Sequence, residues 1–277
     1  MVIPFRNAER HIGRCLRALE EQVPFDGSYE VVMVDNASTD GSAQIVAASA
    51  RARLLREDKR GAYAARNTGV ASSSGALIAF TDSDCAPEPD WLRRIVEHMS
   101  DPSVAVVLGA RIPAGHSRGL GLVARYERAK NDFIFGSGIS DLYYGWTSNM
   151  AVRREVFEEI GPFVERLRGS DALFVRRVVH DLSLESVRYS SEIQVEHLEI
   201  RRVVDYYRKL FFYGRSFRRF GPLGHVRPLR TGERLHVWRR TIQSGSSAEA
   251  AALLGLLAAG LVFWWAGSLS GFVPETT

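Results

Sequence analysis

Leu77-Ile78-Ala79-Phe80-Thr81-Asp82-Ser83-Asp84 decides the fold: an unbroken apolar run passes directly into a threonine and two acids. A strand that is apolar at every position has no solvent face, so it belongs in a sheet covered on both sides. Acids just beyond it stand where open α/β sheets bind ligands, past the carboxyl ends of the strands. The pattern recurs upstream. Val31–Val34 (VVMV) runs into Asp35-Asn36-Ala37-Ser38-Thr39-Asp40-Gly41, and Val2–Pro4 runs into Phe5-Arg6-Asn7. Between these runs Ile12, Cys15, Leu16 and Leu19 recur at helical spacing, and Ile45–Ala50, Ala64–Ala71 and Trp91–Met99 read as helices. Ala52–Leu55 and Val104–Leu108 (VAVVL) add two further strands. The alternation predicts an α/β fold: a Rossmann-like, mostly parallel sheet flanked by helices.

Composition bounds the class. The 277 residues are 45% hydrophobic and 25% charged, with 24 Gly and 10 Pro, which excludes collagen-like, coiled-coil and disordered chains. Two cysteines, Cys15 and Cys85, make no disulfide framework and no paired zinc motif, so a reducing compartment is expected. The opening MVIPFRN lacks the basic-then-apolar build of a secretory signal, so the bulk of the chain is expected to stay on the side where it is made. The net charge of +4 is unevenly spread: residues 1–196 carry −3, residues 197–240 carry +9 and residues 241–277 carry −2. All but Lys59, Lys130 and Lys209 of the basic residues are arginines, which suits phosphate contacts and equally reflects a GC-rich genome.

From Ala250 to Val273 no residue is charged, and Leu253–Ala266 reads LLGLLAAGLVFWWA. About twenty apolar residues cross a ~30 Å hydrocarbon core as a helix. Trp264 and Trp265 near one end and Arg239 and Arg240 upstream are the flanks such a helix carries, with the basic stretch facing the cytoplasm. A buried or interfacial helix is the alternative. The chain thus divides into residues 1–110 and 111–215; 216–248, a basic linker; and 249–273, a transmembrane or membrane-associated helix.

The chemistry-bearing residues lie at the strand ends. Asp82 and Asp84 can offer oxygen ligands to Mg²⁺ or Mn²⁺, whose shells substrate phosphates complete. Asp35 and Arg66 would flank a nucleotide lying across the same edge. A plain Asx turn with a helix cap at Asp35–Gly41 is the competing reading.

The ordered set VIPFRN (2–7), VDNASTDG (34–41), GAYAARNTG (61–69), FTDSD (80–84) and SNMAVRREVFEEIGPF (148–163) resembles a family 2 glycosyltransferase of the GT-A fold over roughly residues 1–215. The resemblance implies transfer of a sugar from a nucleotide diphosphate donor with inversion, a hexosyltransferase activity suited to cell-envelope polysaccharide or glycolipid synthesis. It makes 1–110 the nucleotide-sugar-binding half and 111–215 the acceptor-binding half, and places Pro4, Phe5, Asp35, Arg66 and Asp82 on the donor and Asp82 and Asp84 on the metal. It makes Asp171, in Gly169-Ser170-Asp171, the catalytic base, with Ser170 where the family has Glu and Asn36 where it has a second acid. His197 matches a position that contacts metal or diphosphate in several relatives, the alternative being a structural histidine. Implied partners are the nucleotide-diphospho-sugar, a glycan or lipid-linked acceptor and the cell membrane, with the catalytic domain on the cytoplasmic side. The aromatic and basic run Arg201–Arg215 fits lipid headgroups or an acceptor's phosphate, and no nucleic-acid motif accompanies it. Two rivals are a sugar nucleotidyltransferase, which would need a glycine-rich loop after the first strand, and a membrane-tethered binding module without activity.

Overall fold

The computed structural model describes residues 1–166, 168–220 and 226–270, with the side chains of 217–220 left out. Parts of the expected linker (221–225) and of the C-terminal segment (271–273) lie outside the described residues. The chain forms two compact units: Met1–Ile112 with Tyr143–Leu198, and Pro113–Leu142 with the residues from Glu199 onward.

The first unit holds the sheet. Its strands are β1 (Val2–Phe5), β2 (Val31–Asp35), β3 (Ala52–Arg56), β4 (Leu77–Thr81), β5 (Cys85–Pro87), β6 (Val106–Pro113), β7 (Asn149–Arg153) and β8 (Val187–His197), in the order β3-β2-β1-β4-β7-β6-β8-β5. β1 runs parallel to β2, with Val2 opposite Val32 and Phe5 opposite Asp35, and also parallel to β4. β2 and β3 are parallel as well. Beyond β4 the direction reverses: β7 lies antiparallel on β4, and β6 antiparallel on β7. Every residue of β1 and β2 is buried, as a strand between two helical layers demands.

Helices α1 (Glu9–Glu20), α2 (Ser42–Ala47), α3 (Ala62–Ser72), α4 (Trp91–Met99), α6 (Arg154–Ile160) and α7 (Ser170–Asp181) flank this sheet. Helix α1 turns Ile12, Cys15, Leu16 and Leu19 inward, the residues its periodicity marks. Helix α2 begins at Ser42, earlier than its apolar residues suggest; Gly41 is its cap, and the Asp40 carboxylate just before it accepts from the Ser42 N–H at 3.1 Å. Asn149, within the motif that follows the loop, is a buried staple. It accepts from the Trp91 indole at 2.8 Å and donates to the carbonyls of Ala110 (2.7 Å) and Ile193 (2.9 Å).

The second unit is helical: α5 (Arg118–Gly136), α8 (Val203–Phe220), α9 (Thr231–Ile242) and α10 (Ser247–Ser270). Among the described residues α10 is the one helix long and apolar enough to cross a membrane, and only 17% of its most apolar stretch is buried.

Candidate active site

The site assembles at the carboxyl edge of β1, β2 and β4, and helix α3 is its hinge piece. Asn36, directly after β2, donates to the carbonyls of Glu57 (2.9 Å) and Lys59 (2.8 Å) and accepts from the Gly61 N–H at 2.8 Å. Gly61 caps α3 at φ 136°, a conformation that side chains resist. With its start fixed, α3 turns Tyr63 and Arg66, three residues apart and so on one helix face, toward two different acids. The Tyr63 hydroxyl donates to Asp171 Oδ1 at 2.8 Å, and Arg66 Nη2 pairs with Asp82 Oδ1 at 2.5 Å. The Arg66 guanidinium also stands 5.2 Å from the Tyr63 ring centroid, a cation–π approach. Arg66 is buried, and its Nε is a buried donor with no partner among the described residues. Burial first, and the nearby Asp171 charge second, push the Tyr63 phenol far above its usual range, so it stays a donor.

Asp171 sits in the first turn of α7 and is held from three directions. Besides Tyr63, the Thr147 N–H donates to Oδ2 at 3.2 Å and the Ala172 N–H to Oδ1 at 2.9 Å. The chain leading into α7 is pinned to α3: Asn67 donates to the Phe163 carbonyl at 2.9 Å and accepts from its N–H at 3.1 Å. The Phe163 ring packs against Tyr63, Phe80, Phe157 and Phe174 at 4.8–5.7 Å. This is the structural meaning of Gly161-Pro162-Phe163 in the sequence.

The remaining acid stands with a histidine. β5 and β8 pair antiparallel with Cys85 opposite His197, which brings His197 Nδ1 to 3.6 Å from Asp84 Oδ2. The donor atoms of Asp84, Cys85 and His197 lie within 4.8 Å of one another. Asp82 Oδ1 is engaged by Arg66, and Asp82 is not among the three residues whose donor atoms converge here. A carboxylate and an imidazole converging at a strand end suit a divalent cation, with Mn²⁺ tolerating the nitrogen better than Mg²⁺. The residues present therefore fit the metal.

Asp35 is buried, and its Oδ1 accepts from the Ser38 N–H, three residues on, at 2.9 Å; the two-residue Asx bond of this segment is the one from the Ser42 N–H to Asp40. Pro4 and Phe5 are buried in β1, with the Phe5 carbonyl accepting from the Asn36 N–H at 2.8 Å; Phe5 is part of the core. Asn7 (φ 49°) and Ala37 (φ 58°) both adopt left-handed backbone beside this edge, and Asn7 Oδ1 accepts from the Thr39 N–H at 2.8 Å. Non-glycine residues held there carry strain of order 1 kcal/mol, the kind concentrated at ligand-binding loops. Tyr63 and Thr147 were not singled out by sequence; the three-residue step from Tyr63 to Arg66 was the available signal.

A sheet parallel through β3, β2, β1 and β4 and antiparallel beyond, with acids where the order switches, is the GT-A arrangement. Residues 1–161 match the Glycosyl transferase family 2 profile, and the chain belongs to that family. It is 36% identical over 183 residues to glycosyltransferase AglE of Haloferax volcanii, covering 64% of this chain and 60% of that protein. It is 28% identical over 230 residues to the pre-mycofactocin glycosyltransferase of Mycobacterium tuberculosis, covering 78% of this chain and 46% of that one. The chain thus spans about half to three-fifths of the length of these curated relatives. In fold it resembles the Pyrobaculum calidifontis mannosyltransferase solved with GDP-Man and Mn²⁺, at TM-score 0.60 and 19% identity over 99% of this chain and 86% of that one.

Proposed function

We propose that the protein transfers a sugar from a nucleotide diphosphate donor to an acceptor hydroxyl, with inversion at the anomeric carbon. The observation that carries this reading is the placement of Asp171 and the Arg66–Asp82 pair by one helix face, beside the Asp84–His197 pair. A carboxylate held by Tyr63 and the Thr147 N–H is aimed and ready to take a proton. Asp171 removes it from the acceptor hydroxyl, whose oxygen forms the new bond to the anomeric carbon. The bond from that carbon to the diphosphate oxygen breaks, and the electron pair leaves with the nucleoside diphosphate. Arg66, buried with an unfilled Nε donor, holds Asp82 and offers a cation to the donor; Asp35, Pro4 and Phe5 shape the edge against which the nucleoside rests. Asp84 and His197 would hold Mg²⁺ or Mn²⁺, which when bound neutralises charge on the departing diphosphate.

The acceptor is a glycan or lipid-linked hydroxyl compound, and the protein works at the cell membrane with its site on the cytoplasmic side. The apolar α10 and the +9 charge of residues 197–240 support that reading. A donor screen scored by nucleoside diphosphate release, with membrane lipid extract as acceptor, tests the function. Release with one or a few sugar nucleotides, abolished in Asp171→Asn, is the expected outcome. Tight nucleotide binding without release under any acceptor would favour a binding module.

A further inference from the structure

α10 does not stand apart as a lone helix; α8 is bound along it through a seam of glycines. A Cβ added at Gly267 would fall 1.9 Å from the Phe211 carbonyl oxygen, and one at Gly214 would fall 2.0 Å from that of Trp264. Backbones this close need glycine at the crossing. The Tyr207 hydroxyl donates to the Leu256 carbonyl at 3.0 Å, and its ring stacks on Phe263 with centroids 5.0 Å apart. Residue numbers rise together along the seam, from Tyr207 beside Leu256 to Gly214 beside Ser268, so the two helices run parallel and side by side.

Their uncovered surfaces differ. On α10 the exposed large side chains are Leu254, Leu261, Val262, Phe263, Trp265 and Leu269, all apolar. On α8 the exposed apolar residues Val204, Phe212 and Tyr213 share the surface with the exposed Arg208; Asp205, Lys209 and Arg215 are partly buried, with Lys209 Nζ 3.6 Å from Glu199. The middle of α10, at Gly260, lies against Leu210 and Tyr207, so Arg208 and Lys209 stand level with the helix centre. If α10 crossed a bilayer along its normal, α8 would carry these cations to the hydrocarbon midplane, the costliest place for them. Arg208 is 66% exposed, with Asp205 the acid beside it at 3.7 Å. A helix mixing aromatic, apolar and arginine residues is instead at home at the headgroup level.

We propose that α8 and α10 together form an interfacial element that lies in the plane of an anionic membrane surface, with α10 embedded along its length rather than spanning. The proposal rests on the reading that the protein meets a membrane, and it commits to one occupant, a leaflet of anionic phospholipid. The +9 charge of residues 197–240 complements such a leaflet, and the apolar surface of α10 supplies the contact with acyl chains.

The test uses the full-length protein with one cysteine placed at either end of α10, Ser244→Cys or Ser270→Cys; Cys15 and Cys85 are buried and do not compete. Sealed right-side-out and inside-out vesicles from the producing cells are treated with a membrane-impermeant maleimide. Labelling of both positions from the same face is expected. Labelling of Ser270→Cys from the opposite face, or from neither until detergent is added, overturns the in-plane arrangement while leaving the membrane contact standing. Flotation of the purified protein with phosphatidylglycerol vesicles should exceed flotation with phosphatidylcholine vesicles by about tenfold or more. Equal flotation overturns the anionic-surface assignment, and no flotation with either defeats the membrane reading itself.

Discussion

At the scale of single residues, the proposed base Asp171 and the groups that hold it can be tested apart. Asp171→Asn keeps the shape and the hydrogen bond from Tyr63 but cannot take a proton. Turnover should fall by about 10²–10⁴-fold, the usual worth of a general base, with donor affinity nearly unchanged by calorimetry. An unchanged turnover number would reassign the base. Tyr63→Phe removes one donor from Asp171 and no charge, so it should lower turnover more mildly, by roughly fivefold, consistent with the ~1 kcal/mol of one hydrogen bond. Asp84→Ala bears on the metal. Nucleoside diphosphate should bind the parent protein more tightly with Mn²⁺ than with EDTA, and the substitution should erase that difference; equal affinity in the parent would remove the metal from the site. The acids were legible because each directly follows an apolar strand run. The pairing of Asp84 with His197 was not, because it depends on Cys85 facing His197 across an antiparallel register more than a hundred residues apart in sequence. Nor was the partner of Asp82 visible, since Arg66 lies on a different element, α3.

At the scale of elements, local pattern and global pairing part company. Apolar runs marked β1, β2 and β4 because burial on both faces leaves no alternation to misread. Direction is a property of neighbours, so the antiparallel placement of β6 and β7 left no trace in their own residues. The three-residue β5 is too short to show a period at all. Helix α3 provides a test of how tightly elements are packed behind the site. A Cβ at Gly69 would stand 2.3 Å from Val2 Cγ1 and 3.2 Å from Val34 Cγ2, so α3 rests on β1 and β2 by virtue of that glycine. Gly69→Ala should cost about 1–3 kcal/mol by overpacking. In a protein of this size the melting midpoint should drop by about 2–4 °C for each kcal/mol. Gly136→Ala, at the end of α5 with no atom within 4 Å of the new methyl, is the control and should leave the midpoint unchanged or slightly raised. Similar losses from both would show that α3 has room to move, and with it Tyr63 and Arg66.

At the scale of the whole molecule, the candidate site and the apolar and basic segments fall in different units. All of the site residues lie within residues 1–112 and 143–198, whereas the +9 stretch apart from His197 and Leu198, together with α10, belongs to the helical unit. The charge imbalance was legible in the sequence because it is a sum over residues; the glycine seam was not, because Gly214 on α8 and Gly260 and Gly267 on α10 gain meaning only from the atoms across the crossing. On the proposed reading, membrane contact through α10 can be removed without altering any residue of the candidate site. Val262 and Trp265 are 66% and 63% exposed on α10, away from the seam, so Val262→Glu with Trp265→Glu should leave the helix packing and the melting midpoint nearly intact. Burial of such side chains in an acyl layer is worth about 1.5–3 kcal/mol each, and two added carboxylates would be repelled by anionic headgroups. The double variant should therefore lose most flotation with anionic vesicles while binding nucleoside diphosphate as the parent does. Salt separates the remaining contribution. Raising ionic strength from 0.1 M to 1 M shortens the Debye length from about 10 Å to about 3 Å, which should release the double variant completely and the parent only in part. Flotation of the double variant equal to the parent's at both salt concentrations would place the membrane contact on the arginines of the helical unit alone, with no share for α10.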